Sequence, residues 1–149
     1  MGSYVKRNGL LSRRCVWDFI NQNKNAFLND RSCFLKADLD IDKMNEAAQV
    51  MIGKMDFTSL SKLHTDVKTN ICDVRFAKWE KVSENELVFE IRADRFLRNM
   101  VRATVGTLLD VGMGKISAQE YKDILEAKNR CEASVSVPAQ GLFLWEVKY

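Results

Sequence analysis

A chain of 149 residues, 46% hydrophobic and 29% charged, holds enough apolar material for one core and lacks the composition of a disordered or fibrous protein. Its net charge of +3 is too small to mark a nucleic-acid binder outright, yet a positive excess over residues 1–36 and a negative one over 37–59 leave room for local basic patches. Four dispersed cysteines without a Cys-x-x-Cys, a single histidine and no apolar run of membrane-spanning length argue against a metal site, a redox pair or a membrane anchor, so a soluble cytoplasmic protein with reduced thiols is expected.

Residues 1–36 are irregular and read as a lead-in strand and linker. From Asp40 the pattern turns helical: Asp40 is a suitable N-cap, and Met44, Ala47, Ala48, Met51 and Ile52 share a face until Gly53. Residues 56–68 read as a polar loop. Cys72, Val74 and Phe76 then alternate with Asp73 and Arg75, Ser83 to Glu86 makes a turn, and Leu87, Phe89, Ile91 and Ala93 alternate with Val88, Glu90 and Arg92, which predicts a hairpin. A helix is expected from about Arg95 to Val111, stopped by Gly112-Met113-Gly114. Ser117-Ala118-Gln119-Glu120 has the form of a capping box and opens a shorter helix with Tyr121, Ile124 and Leu125 inward. Val137 to Gly141 is a turn holding the sole proline, and Leu142 to Tyr149 a last strand. This order predicts an α+β domain over residues 37–149, an antiparallel sheet with helices on one face.

The stretch from Arg95 to Gly106 carries the chemistry. Steps of about 100° per residue put Asn99, Arg102 and Gly106 within roughly 40° of Arg95, with Arg98 about 60° aside. Phe96, Leu97, Met100, Val101, Val105, Leu108 and Leu109 fill the rest of the circumference, so the guanidinium groups require anionic partners. Three readings are open: binding of phosphates, positioning of a catalytic carboxylate, or a solvated helix edge. Arg95 and Arg98 suit exposure or phosphate, whereas Arg102, between Val101 and Ala103, best fits a buried ion pair. The segment Ser61 to Lys68, with Lys62, His64 and Lys68 among hydroxyls, suits a nucleic-acid backbone or a plain surface loop. Trp17, Trp79 and Trp145 fit packing better than base stacking. No GxGxxG, P-loop, GxSxG or HExxH is present.

These segments together resemble a known family. Asp56-Phe57-Thr58-Ser59, Phe96-Leu97-Arg98-Asn99-Met100-Val101-Arg102, Val105-Gly106-Thr107-Leu108-Leu109, Val111-Gly112 with Gly114-Lys115, and Pro138-Ala139 with Gly141-Leu142-Phe143-Leu144 are similar, in order and spacing, to the C-terminal half of the tRNA pseudouridine synthase A family. The resemblance covers about residues 38 to 149. It implies a cofactor-free isomerase that converts uridines of the tRNA anticodon stem-loop to pseudouridine, acting as a homodimer with the RNA across both subunits. In that family an aspartate of the N-terminal half is the nucleophile, an arginine of the Met-Val-Arg motif pairs with it, and a leucine near the C-terminus packs on the target base. The resemblance maps these last two onto Arg102 and Leu142. Arg95, Arg98, Lys62 and Lys68 are the expected phosphate ligands.

The departures shape the expectation. An Arg-x-Asp-x-Gly-Val-His-Ala type of stretch is absent from the 149 residues, and Val16 stands where the family's uracil-stacking tyrosine belongs, followed by Lys24-Asn25-Ala26-Phe27 in place of its Asn-Pro-Phe. The first twenty or so residues therefore read as altered or unrelated sequence on a truncated enzyme, or the whole as a degenerate fragment. The chain is expected to be the C-terminal domain of such a synthase, inactive alone. The alternatives are a stand-alone RNA-binding module without catalysis, and an interaction domain whose arginines pair with its own acids, such as Asp94 or Asp110.

Overall fold

The computed structural model describes residues 12–20, 33–34, 38–62, 69–83, 86–130, 133, 136–137 and 142–148. Its elements in chain order are β1 (Ser12–Ile20), β2 (Cys33–Phe34), α1 (Ile41–Val50), β3 (Gly53–Asp56), β4 (Ile71–Ser83), β5 (Glu86–Ala93), α2 (Met100–Gly112), α3 (Ala118–Ala127) and β6 (Leu142–Lys148). Among the described residues the strands form one sheet in the order β2-β1-β5-β4-β3, with β6 paired to β1. Its ladders are antiparallel except for the short β1–β2 pair. The class is α+β, as the order of elements predicts.

Period-two burial builds the middle of this sheet. Leu87, Phe89, Ile91 and Ala93 of β5 are buried, while Val88 and Glu90 are half-buried and Arg92 is exposed. The alternation expected along β4 holds only through Val74. Val74 pairs with Ala93 and Phe76 with Arg92, so Arg75 is the extra residue of a bulge, and the buried positions shift from Cys72 and Val74 to Ala77 and Trp79. Phe76 thereby leaves the core face and lies beneath the Arg92 guanidinium, 5.0 Å from ring centroid to Cζ.

The buried face of the sheet is covered by the helices, whose inward residues belong to the same core. Asp40 caps α1 as expected, its Oδ1 accepting from the Lys43 N–H at 3.1 Å. The β3 ladder ends at Val74, and past it α1 serves the open edge of β4. Asn45 donates to the Trp79 carbonyl at 3.1 Å and accepts from the Trp79 N–H at 2.7 Å, while Gln49 donates to the Ala77 carbonyl at 3.4 Å. Ser117 caps α3 by accepting from the Glu120 N–H at 3.1 Å, which turns Tyr121 and Leu125 into the core and leaves Ile124 half-buried.

The polar loop expected over residues 56–68 is a different object in its first half. It contains the end of β3 and a short 3-10 turn at Thr58–Leu60, with Phe57, Ser59, Leu60 and Ser61 buried. Asp56 accepts from the Thr58 N–H at 2.8 Å and from the Thr58 hydroxyl. Ser59 donates to the Ile124 carbonyl at 2.6 Å and accepts from the Asn129 N–H at 2.9 Å, tying the turn to the end of α3. The Asp-Phe-Thr-Ser motif is thus a folded staple: Asp56 and Ser59 bond to backbone groups, and the Thr58 hydroxyl bonds to the Asp56 carboxylate and accepts from Asn70 Nδ2.

Helices α1 and α2 meet at Gly112. A Cβ there would lie 2.8 Å from Met44 Cγ and 3.1 Å from Leu39 Cδ2, inside a fully buried contact. Gly112→Ala is therefore expected to cost about 1–3 kcal/mol by overpacking, read as a lowered midpoint of urea unfolding. A midpoint equal to the parent's would show that Met44 can move aside freely.

Candidate functional site

The helix expected to begin near Arg95 begins at Met100. Its N-cap, Asn99, has φ of 68°, in the left-handed region, which stops any helix from running through Phe96-Leu97-Arg98. Arg95 and Arg98 therefore do not share a helical stripe with Arg102, and Gly106, expected on that stripe, is buried instead. The arginines part company. Arg95 turns toward β4, its Nη1 donating to the Ile71 carbonyl at 3.5 Å. Arg98 is exposed, and its carbonyl accepts from the Lys62 N–H at 2.9 Å, which brings Lys62 beside it.

Arg102 is half-buried on the first turns of α2 and is clamped to Val137 from both sides. The Arg102 carbonyl accepts from the Val137 N–H at 3.2 Å, and its Nε donates to the Val137 carbonyl at 2.8 Å. That geometry uses Nε and leaves the two terminal nitrogens without a hydrogen bond among the described residues. Neither Arg102 nor Arg98 forms an ion pair there; Asp94 accepts from the Asp73 N–H at 2.8 Å and Asp110 faces Lys115 at 3.9 Å.

Arg102 and Leu142 line one cleft of about 1000 Å³, with Phe96 and Val101 as further apolar wall and Lys62 and Arg98 as further cations. No carboxylate is among its described lining residues, so three positive charges face it and an anion is the complement they require. An apolar wall beside those cations suits a flat ring attached to a phosphate chain. A second, more open groove is lined by Asp38, Asp40 and Asp42 next to Gly112 and has the wrong sign for phosphate.

Cys72 is fully buried in the core, and burial pushes its thiol up to about 12, so it supplies no thiolate nucleophile at neutral pH. Among the described residues no cluster of His, Cys, Asp and Glu suits a metal ion, and no helix is long and apolar enough to cross a membrane. Lys68 and His64, the basic Lys6 and Arg7, residues 24–27 and the turn at 138–141 lie outside the described residues. Val16 pairs with Glu90 of β5 and Phe143 of β6 in the ladders.

Of three further participants, only Asn99 carries a sequence signal. Asn99 is one of the few non-glycine residue types that accept the left-handed region readily, whereas Ser136 and Val137 announce nothing by pattern. Asn99 Nδ2 donates to Ser136 Oγ at 2.6 Å and does not cap its own helix.

A family model described as tRNA pseudouridine synthase matches residues 47–149. The chain is 58% identical over 111 residues to the tRNA pseudouridine synthase A of Bacteroides fragilis, a match covering 74% of this chain and 44% of that protein. It is 49% identical over 132 residues to the tRNA pseudouridine synthase A of Parabacteroides distasonis, covering 88% and 52%. With that of Azobacteroides pseudotrichonymphae it shares 43% identity over 150 residues, covering 97% and 59%. The chain thus spans about half the length of the curated relatives it matches.

Proposed function

Because the chain belongs to the tRNA pseudouridine synthase family, we propose that it is the C-terminal half of an enzyme that isomerises uridine to pseudouridine in the anticodon stem-loop of tRNA. On this reading the nucleophilic aspartate comes from the N-terminal half, the reaction needs no cofactor, and two copies hold the RNA between them. Arg102 pairs with that aspartate. Its charge keeps the carboxylate ionised and its planar fork fixes the carboxylate's orientation. Leu142 packs on the target base, and Lys62, Arg98 and Lys68 hold backbone phosphates; Arg95, turned toward Ile71, reaches phosphate only from outside the cleft.

The observation that carries this reading is the shared cleft of Arg102 and Leu142, where the arginine's terminal nitrogens have no acid partner among the described residues and two exposed cations stand beside an apolar wall. The aspartate-bearing stretch is absent from the 149 residues, so the chain by itself binds RNA and does not turn it over. Fluorescence anisotropy with a labelled anticodon arm at several salt concentrations tests the binding. Affinity is expected to be weak and to fall steeply with salt, as counterion release requires. Arg98→Ala should lower the log-log slope by about one unit, and Arg102→Ala should leave it nearly unchanged. A chain with no salt-dependent RNA affinity would be an interaction domain instead, and a lowered slope for Arg102→Ala would make Arg102 a phosphate ligand.

A further inference from the structure

The geometry points to Ser136 as a positioning residue of the cleft: with Asn99 and Arg130 it forms a latch that holds residues 136–137 on the start of α2 and thereby aims Arg102. This rests on the role given to Arg102 above and adds the residues that set its orientation.

The hydroxyl of Ser136 accepts two hydrogen bonds, from Asn99 Nδ2 at 2.6 Å and from Arg130 Nη2 at 3.0 Å. Arg130 also donates from Nη1 to the Ala133 carbonyl at 3.4 Å, so one guanidinium bonds both Ala133 and Ser136. Its fork geometry suits it to two acceptors held at a fixed spacing. The next residue, Val137, is the one that grips Arg102 through both its N–H and its carbonyl. Ser136 therefore lies one peptide from the clamp, and its two donors come from different elements, one from the N-cap of α2 and one from beyond the end of α3.

The backbone of Asn99 fits the same account. An N-cap side chain ordinarily accepts from an N–H of the first helical turn, and Asn99 forgoes that bond, its left-handed backbone presenting the amide to Ser136. With Nε of Arg102 held on Val137, rotation of the guanidinium is restricted and its two terminal nitrogens keep a fixed relation to the cleft that Leu142 shares. If the latch opens, the Val137 carbonyl moves away and Arg102 becomes a free side chain at the cleft wall.

The test needs no turnover, so its outcome is independent of whether the chain is catalytic. In the uniformly 15N-labelled chain, hydrogen exchange of the Arg102 Nε–H is measured by NMR, the resonance being assigned by its loss in Arg102→Lys. Ser136→Ala is expected to speed that exchange on the order of tenfold by opening the local clamp, and Ser136→Thr, which keeps the hydroxyl, to leave it near the parent rate. Asn99→Gly keeps access to the left-handed backbone while removing the amide, and should match Ser136→Ala. Gly112→Ala overpacks the opposite end of α2 against Met44 and should lower the melting temperature without touching Arg102 exchange. Unchanged exchange in both Ser136→Ala and Asn99→Gly would overturn the proposal. So would equal acceleration in Gly112→Ala, since the effect would then be global loosening.

Discussion

In a synthase of full family length, Arg102→Ala is expected to cut tritium release from tRNA labelled at uracil C5 by about 10²- to 5 × 10³-fold. Pseudouridine formation replaces the hydrogen at C5, so this assay reads the chemical step directly. The magnitude follows from the proposed pairing: removing one partner of a buried, hydrogen-bonded ion pair costs about 3–5 kcal/mol, and each 1.36 kcal/mol is roughly tenfold in rate. The lone aspartate would be pushed toward its protonated form and lose its orientation, whereas affinity for tRNA, carried by exposed cations such as Lys62 and Arg98, would change little. Arg102→Lys should recover only part of the loss. A lysine has one nitrogen, and it cannot hold the Val137 carbonyl and offer a planar fork to the cleft as Nε and the terminal nitrogens of arginine do. Turnover by Arg102→Ala within threefold of the parent would remove Arg102 from this role. The 149-residue chain by itself should release no tritium, and multiple turnover by it would mean that the nucleophile lies within these residues.

The parts of the fold that were legible in the sequence are those where a local rule decides the outcome. Asp40 and Ser117 both cap because a short polar side chain before an apolar-periodic run has an orphan N–H to satisfy. The β5 alternation was legible because the strand has one fully buried face and one that is half-buried to exposed. Three features escaped for physical reasons. The bulge at Arg75 inserts one residue without any glycine or proline to mark it, so Phe76 looked like a core residue and is not. The start of α2 looked like Arg95 because Phe96-Leu97-Arg98 are all acceptable in a helix, and only the backbone of Asn99 excludes it. Residues 56–61 read as a polar loop, yet the Ser59 and Ser61 hydroxyls are taken up by backbone groups, which is what allows Ser59 and Ser61 to be buried. The same limit applies to the candidate site. Helical pattern singles out Arg102 as a candidate for an ion pair, while its partner and Leu142 come only from the family resemblance, and the clamp on Val137 and the latch at Ser136 depend on contacts across more than thirty residues, a distance no periodicity spans.

The cleft stands on the sheet, and the sheet depends most heavily on Trp79. Its side chain is 1% exposed and stacks on Phe89 with ring centroids 4.9 Å apart. Because β4 shifts register at Arg75, Trp79 enters the core on the inner face, and α1 fixes its backbone through Asn45 from the open edge. Trp79→Ala removes the largest fully buried side chain among the described residues and keeps those backbone bonds, so the loss is one of packing: about 3–5 kcal/mol for a core tryptophan. Against a total of about 5–15 kcal/mol for a domain, this should leave a substantial unfolded fraction at 37 °C. Urea unfolding followed by far-UV circular dichroism is the measurement, with Trp79→Phe expected to recover more than half of the loss because it restores most of the apolar contact with Phe89. Ile71→Ala makes the comparison specific, since Ile71 is 40% exposed at the start of the same strand and should change stability by no more than about 0.5 kcal/mol. If Trp79→Ala and Ile71→Ala were equally mild, the core would not be organised around the β4–β5 pair, and the α2 N-terminus that carries Arg102 would have to be held by its contacts with residues 136–137 and 142 alone.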